Sequence, residues 1–178
     1  MLGMLPDAVK VKAMFRLFYA LPCPPEIAAG IDAWRQERRF AGRLVPSANL
    51  HLTLAFLGHL EEDHLPLLQQ LPLRLPLTEL AFDLCLDRLD CWHGGLLHLA
   101  PSRVPGQLLQ LAEGLAELLA EAGLPTERRL YRPHLTLARD SRRPAPSDCP
   151  AFAWRVEELV LYSSERGRYL PLSRWPLG

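Results

Sequence analysis

The chain reads as an α+β fold with helices interspersed among mostly antiparallel strands. Three features predict it: short runs of branched and aromatic residues bounded by Pro and Gly, amphipathic stretches set singly between those runs, and a hairpin-like pair of runs closing the sequence. With 178 residues, 49% hydrophobic and 22% charged, the chain has enough apolar material for one domain or two small lobes around a common middle. General disorder is excluded.

Met14 to Leu21 (MFRLFYAL) is a strand that stops at Pro22. Pro24 and Pro25 open a helix to about Phe40, with Ile27, Ile31 and Trp34 inward and Arg35, Glu37, Arg38 and Arg39 toward water. A short strand around Arg43 to Val45 follows, then Asn49 to Leu57 (NLHLTLAFL), closed by Gly58. Glu61 to about Leu71 is a short helix with acidic residues in its first turn. Glu79 to Leu89 and Leu96 to Ala100 are extended, with a turn at Gly94 and Gly95 between them. Pro105 to Ala122 is the clearest helix, its stripe formed by Leu108, Leu111, Leu115, Leu118, Leu119 and Ala122 and its end capped at Gly123. Tyr131 to Arg139 is extended, and Asp140 to Pro150 is a polar surface loop. Phe152 to Ser163 and Tyr169 to Trp175 form a closing hairpin about Arg166 to Arg168.

Lys plus Arg equal 20 and Asp plus Glu equal 20, so no net cationic field holds duplex nucleic acid or an anionic membrane. Any polyanion must be bound locally. Charged residues and Pro interrupt every apolar run, so no membrane span is expected, and the first residues lack the layout of a signal peptide. Cys23, Cys85, Cys91 and Cys149 form no CxxC pair; reduced thiols in a cytoplasm are the expectation.

One tetrapeptide occurs in each half: His51-Leu52-Thr53-Leu54 and His134-Leu135-Thr136-Leu137. In a strand, His and Thr at i and i+2 share one face while the leucines share the other. The leucines go to the core. Two such strands can set two imidazoles across one cleft, and hydrolysis of a cyclic phosphodiester needs such a pair, one imidazole neutral to take a proton from water and one protonated for the leaving alkoxide. Thr53 and Thr136 would donate hydrogen bonds to the non-bridging oxygens. The scheme requires no metal.

The motifs, together with MFRLFYALPCPPEI, RLVPSANLHLTLAFLG, RPHLTLAR and LVLYSSERGRYLPLSRWPL in that order, resemble the two-histidine phosphoesterases. The similarity is to the RNA 2′,3′-cyclic phosphodiesterase branch, the 2′-5′ RNA ligase-like proteins. It runs from about Met14 to Leu177, so residues 1–13 are expected to be an N-terminal extension and residues 14–178 a single bilobal domain. The resemblance implies a pseudo-twofold fold with two mostly antiparallel sheets flanking a central cleft and helices packed outside. It implies His51 as proton donor to the departing 3′ oxygen, His134 as proton acceptor, a 2′-phosphate product and no cofactor. Thr53 and Thr136 would hold phosphate oxygens, with Arg139 adding positive charge. The expected partners are RNA with a 2′,3′-cyclic phosphate or a 2′-5′ linkage and small cyclic nucleotides, with no membrane, and the protein is expected to be a monomer. Ligation or cleavage of 2′-5′ linkages is the alternative activity, and an idle nucleotide-binding or RNA-binding module of the same fold is a further one. The segment DRLDCWHGGLLHLAPS departs from the family pattern and holds His93 and His98.

Arg139 follows His134 at an odd offset, which would put it on the other side; it is expected on the HxTx face only if the strand runs unbulged. Arg128, Arg129, Arg132, Arg142 and Arg143 bracket the second motif as a basic rim or as solvated charge. Tyr131 or Phe56 could stack on a base, although aromatics in strands more often belong to a core. Cys85, Cys91, His93 and His98 match no common zinc spacing, and His59 and His64 are expected in solvent.

Overall fold

The computed structural model describes residues 12–127, 129–145 and 151–178. Most of the expected N-terminal extension, Arg128 and Cys149 lie outside the described residues. In chain order the elements are β1 (Met14–Pro22), α1 (Pro25–Arg38), β2 (Arg43–Leu44), β3 (His51–Glu61), α2 (Leu65–Gln70), β4 (Phe82–Leu86) and β5 (Arg88–Trp92). They continue with β6 (Leu96–Ala100), α3 (Gly106–Glu121), β7 (Leu135–Arg139), β8 (Phe152–Val156), β9 (Glu158–Glu165) and β10 (Arg168–Pro176). The class is α+β, and every strand pairing is antiparallel.

Eight strands form one sheet in the order β10-β9-β1-β3-β7-β6-β5, with β2 on β7; β4 and β8 form a separate pair. The two sheets expected around the cleft are therefore two wings of the large sheet, and the two motifs form the seam. β3 and β7 meet at the pair Leu52–Leu135, the second residue of each tetrapeptide. That antiparallel match relates the copies by a local twofold. Past the seam, beyond the start of β3, β2 takes over the edge of β7, pairing Arg43 with Arg139 and Leu44 with Ala138.

The leucines of both motifs face the core: Leu52, Leu135 and Leu137 are wholly buried and Leu54 nearly so. Burial of each contributes about 1.5–3 kcal/mol, which fixes the strand register and sends the intervening His and Thr to the other face. α3 buries Leu108, Leu111, Leu115, Leu118 and Leu119 as its stripe predicts, with Ala112 buried besides and Ala122 half-buried at its end, and Gly123 takes the left-handed φ of 69° that follows.

Three expectations change. Glu61 ends β3 instead of opening a helix. The runs read as single strands at Glu79–Leu89 and Phe152–Ser163 each divide, because Asp87 and Glu157 mark where the chain passes between the small sheet and the large one. Arg35, read as facing water, is 3% exposed. Its guanidinium pairs with Asp32 at 2.6 Å and donates to the Leu137 carbonyl at 3.2 Å.

At the N-terminal end, the Glu62 N–H donates to the Ala13 carbonyl at 3.0 Å and Lys12 pairs with Glu61 at 3.1 Å and with Asp63. No helix among the described residues is long and apolar enough to cross a membrane.

Candidate active site

A cavity of about 1320 Å³ is lined by His51, Thr53, His134, Thr136 and Arg139 together. The two motifs thus share one groove. His51 opens β3 and His134 immediately precedes β7; continuing the Leu52–Leu135 register one residue each way sets His51 beside Thr136 and Thr53 beside His134.

Each imidazole is anchored the same way. Nδ1 of His51 lies 2.7 Å from the Asn49 carbonyl and Nδ1 of His134 lies 2.8 Å from the Arg132 carbonyl. A carbonyl only accepts, so Nδ1 carries the proton in both rings and Nε2 is the nitrogen left to accept or release another. At His51 that atom is 3.0 Å from the Thr53 hydroxyl, which donates to it when the ring is neutral.

Aromatic rings fix the planes. His51 packs against Phe18 at 5.1 Å and Tyr169 at 5.2 Å, centroid to centroid. His134 packs against Trp92 at 4.5 Å, and Trp92 also covers His98 at 4.3 Å. His98, on β6 opposite Thr136, is 2% exposed and 5.6 Å from His134. Burial holds the pKa of all three histidines below the usual imidazole value; the charge of His134 lowers His51 and His98 further, and that of Arg139 lowers His51 and His134.

Arg139 reaches this face for the reverse of the expected reason. Against β6, one step from Leu97 to His98 spans two on β7, from Ala138 to Thr136, so β7 carries an extra residue. Leu137 and Ala138 are consecutively buried, and the alternation slips by one. The bulge turns the odd offset into an even one. Its freed carbonyl at Leu137 accepts from both Val45 N–H, at 2.9 Å, and Arg35.

Tyr131 lies on the cavity wall, but its hydroxyl donates to the Thr53 carbonyl at 3.1 Å and so braces the first motif. Phe56 is exposed on the wall instead of joining the core. Arg129 and Arg132 line the cavity, whereas Arg143 pairs with Asp90 at 3.0 Å. His59 is exposed and His64 half-buried, its Nδ1 3.3 Å from the Glu61 carbonyl. Cys85 sits in the small sheet and Cys91 in the large one; among the described residues no three His, Cys, Asp or Glu side chains are grouped to hold a metal.

Arg35, Phe18, Tyr169 and Trp92 were not singled out as site residues by the sequence. For Arg35 a signal existed: it follows Ile31 by four and so lies on the apolar stripe of α1.

The model of the 2′-5′ RNA ligase superfamily matches residues 23–168, which is most of the chain and includes both motifs. The chain belongs to that superfamily. Among superfamily relatives it is similar to the RNA 2′,3′-cyclic phosphodiesterase of Escherichia coli, 37% identical over 171 residues that cover 91% of this chain and 96% of that protein. It is also 37% identical over 164 residues to the RNA 2′,3′-cyclic phosphodiesterase of Thermus thermophilus, covering 84% of this chain and 82% of that one. The crystal structure of E. coli LigT complexed with 3′-AMP superposes with a TM-score of 0.84 at 36% identity, over 93% of this chain and 99% of that chain.

Proposed function

We propose that this protein hydrolyses 2′,3′-cyclic phosphodiesters at RNA ends to 2′-phosphomonoesters, with His51 as general acid and His134 as general base. The observation that carries the reading is the two Nδ1-anchored imidazoles lining one groove with both threonines and an arginine. His134 Nε2 takes a proton from water, whose oxygen attacks phosphorus. The bond from phosphorus to the 3′ oxygen breaks, and Nε2–H of His51 protonates that oxygen.

The Thr53 hydroxyl couples to this step. With His51 neutral, Thr53 donates to Nε2; with His51 protonated, Nε2–H becomes the donor and the Thr53 hydrogen is released to a non-bridging phosphate oxygen. The arriving phosphate also counters the charge repulsion that lowers His51. Thr136 and Arg139 bind the remaining oxygens. Arg139→Gln is expected to cut kcat/KM about tenfold, the loss of one charge-assisted hydrogen bond; an undiminished rate would remove Arg139 from the site.

The deciding assay is RNA ending in a 2′,3′-cyclic phosphate, incubated in excess EDTA, with the product identified by its position of phosphorylation. Turnover to the 2′-phosphate is expected to persist. Loss of activity on chelation would mark metal chemistry, and joined strands or cleaved 2′-5′ linkages as the main product would favour the alternative activity.

The reaction needs one proton on the histidine pair, and both pKa values lie below about 6.5 in the free protein. As pH rises the pair empties, so kcat/KM, which reports the free protein, is expected to peak on the acid side of about 6.5 and decline toward pH 8. A plateau across pH 7–9 would contradict this.

A further inference from the structure

We propose that Asn49 is a positioning residue for the acid: its side-chain amide ties the turn between β9 and β10 to the segment whose carbonyl holds His51, and so fixes the imidazole from two sides. The proposal rests on His51 protonating the departing 3′ oxygen. The Asn49 side chain donates to the Gly167 carbonyl at 2.8 Å, and the Asn49 main-chain carbonyl accepts from Nδ1 of His51 at 2.7 Å. One residue thus joins the hairpin to the ring.

The hairpin brings a second wall to the imidazole. β9 pairs with β1 from Val160 to Ser163, and the tip of the hairpin extends past that pairing to reach Asn49. The turn itself is stiff, because Arg166 and Gly167 both take left-handed φ values, 48° and 80°, as a two-residue turn closed by the pair Glu165–Arg168 requires. Two residues on, Tyr169 meets His51 edge-on at 5.2 Å and Phe18 at 5.0 Å. Holding Gly167 against Asn49 therefore holds Tyr169 against the imidazole.

The second motif reaches the same anchoring by another route. Each histidine bonds to the carbonyl two residues before it, across Leu50 in Asn49-Leu50-His51 and across Pro133 in Arg132-Pro133-His134. A proline ring locks φ near about −65°. Leu50 stands at φ −71° without that lock, and Asn49 supplies the constraint instead: its N–H donates to the Pro46 carbonyl at 2.8 Å, its carbonyl serves His51 and its side chain holds the turn. With the tie cut, the ring still fills its place but aims Nε2–H less well at the leaving oxygen, so the loss falls on the acid step.

The test measures kcat/KM on cyclic-phosphate-ended RNA and on an aryl phosphodiester, whose phenolate departs without a proton. Asn49→Ala is expected to lower the value on RNA about tenfold and to leave the value on the aryl ester within about twofold of wild type, as a loss confined to one hydrogen bond behind the acid implies. Asn49→Asp should match Asn49→Ala on RNA, because a carboxylate has no proton to offer Gly167. Adding Asn49→Ala to His51→Ala should cost nothing further on RNA. An undiminished rate on RNA, equal losses on both substrates, or losses that multiply in the double variant would overturn the positioning role while leaving the hydrolysis reading intact. His51→Ala with no recovery on the aryl ester would overturn the acid assignment and this proposal with it.

Discussion

Replacing either His51 or His134 with alanine is expected to lower kcat/KM on cyclic-phosphate-ended RNA by about 10²–10⁴-fold, the usual contribution of a general acid or base. Equal losses would not separate the roles, because the two rings titrate as a coupled pair. A change of leaving group does. In an aryl phosphodiester the departing phenolate is stable without a proton, so the acid becomes dispensable while water still needs a base. His51→Ala should therefore recover most of its deficit on that substrate, and His134→Ala should not. Rescue of His134→Ala alone would exchange the two roles. Rescue of both would leave the imidazoles as binding groups and remove acid and base catalysis from the proposal. The hydrogen bonds make the contrast clean: each Nδ1 is committed to a main-chain carbonyl, so neither ring can turn to replace the other.

What the sequence showed and what it hid divide along one physical line. Period-two alternation in His51-Leu52-Thr53-Leu54 and its repeat was legible, because leucine burial dictates the face of every neighbour. The clearest helix was legible for the same reason, its stripe unbroken over four turns. Bulges were not. Nothing in Leu137-Ala138 or Leu54-Ala55-Phe56-Leu57 announces an extra residue, since both neighbours of a bulge can be apolar and buried. Both slips matter to the site, one bringing Arg139 round and one turning Phe56 out. The division of Glu79–Leu89 and Phe152–Ser163 between two sheets was hidden as well, because periodicity within a strand says nothing about which sheet receives it. His93 and His98 were noticed only as departures from a family pattern. The structure separates them, His93 exposed at the cavity and His98 buried behind Trp92.

Arg35→Ala is expected to cost about 3 kcal/mol of stability, roughly 6–12 °C in Tm, a larger effect than at any of the exposed arginines. The side chain is buried, and its removal leaves a cavity, breaks the ion pair with Asp32 and takes one of two donors from the Leu137 carbonyl. Arg35→Met should cost less, because an apolar chain of similar length refills the space that Arg35→Ala leaves empty. That difference makes Arg35→Met the informative variant. It stays folded while the β7 bulge loses its guanidinium, so Arg139 no longer holds its place and kcat/KM should fall by up to the tenfold expected for Arg139→Gln. If Arg35 acts through the bulge, combining Arg35→Met with Arg139→Gln should cost little more than Arg139→Gln alone. Losses that multiply instead would show that Arg35 supports the fold of α1 without positioning the Arg139 guanidinium.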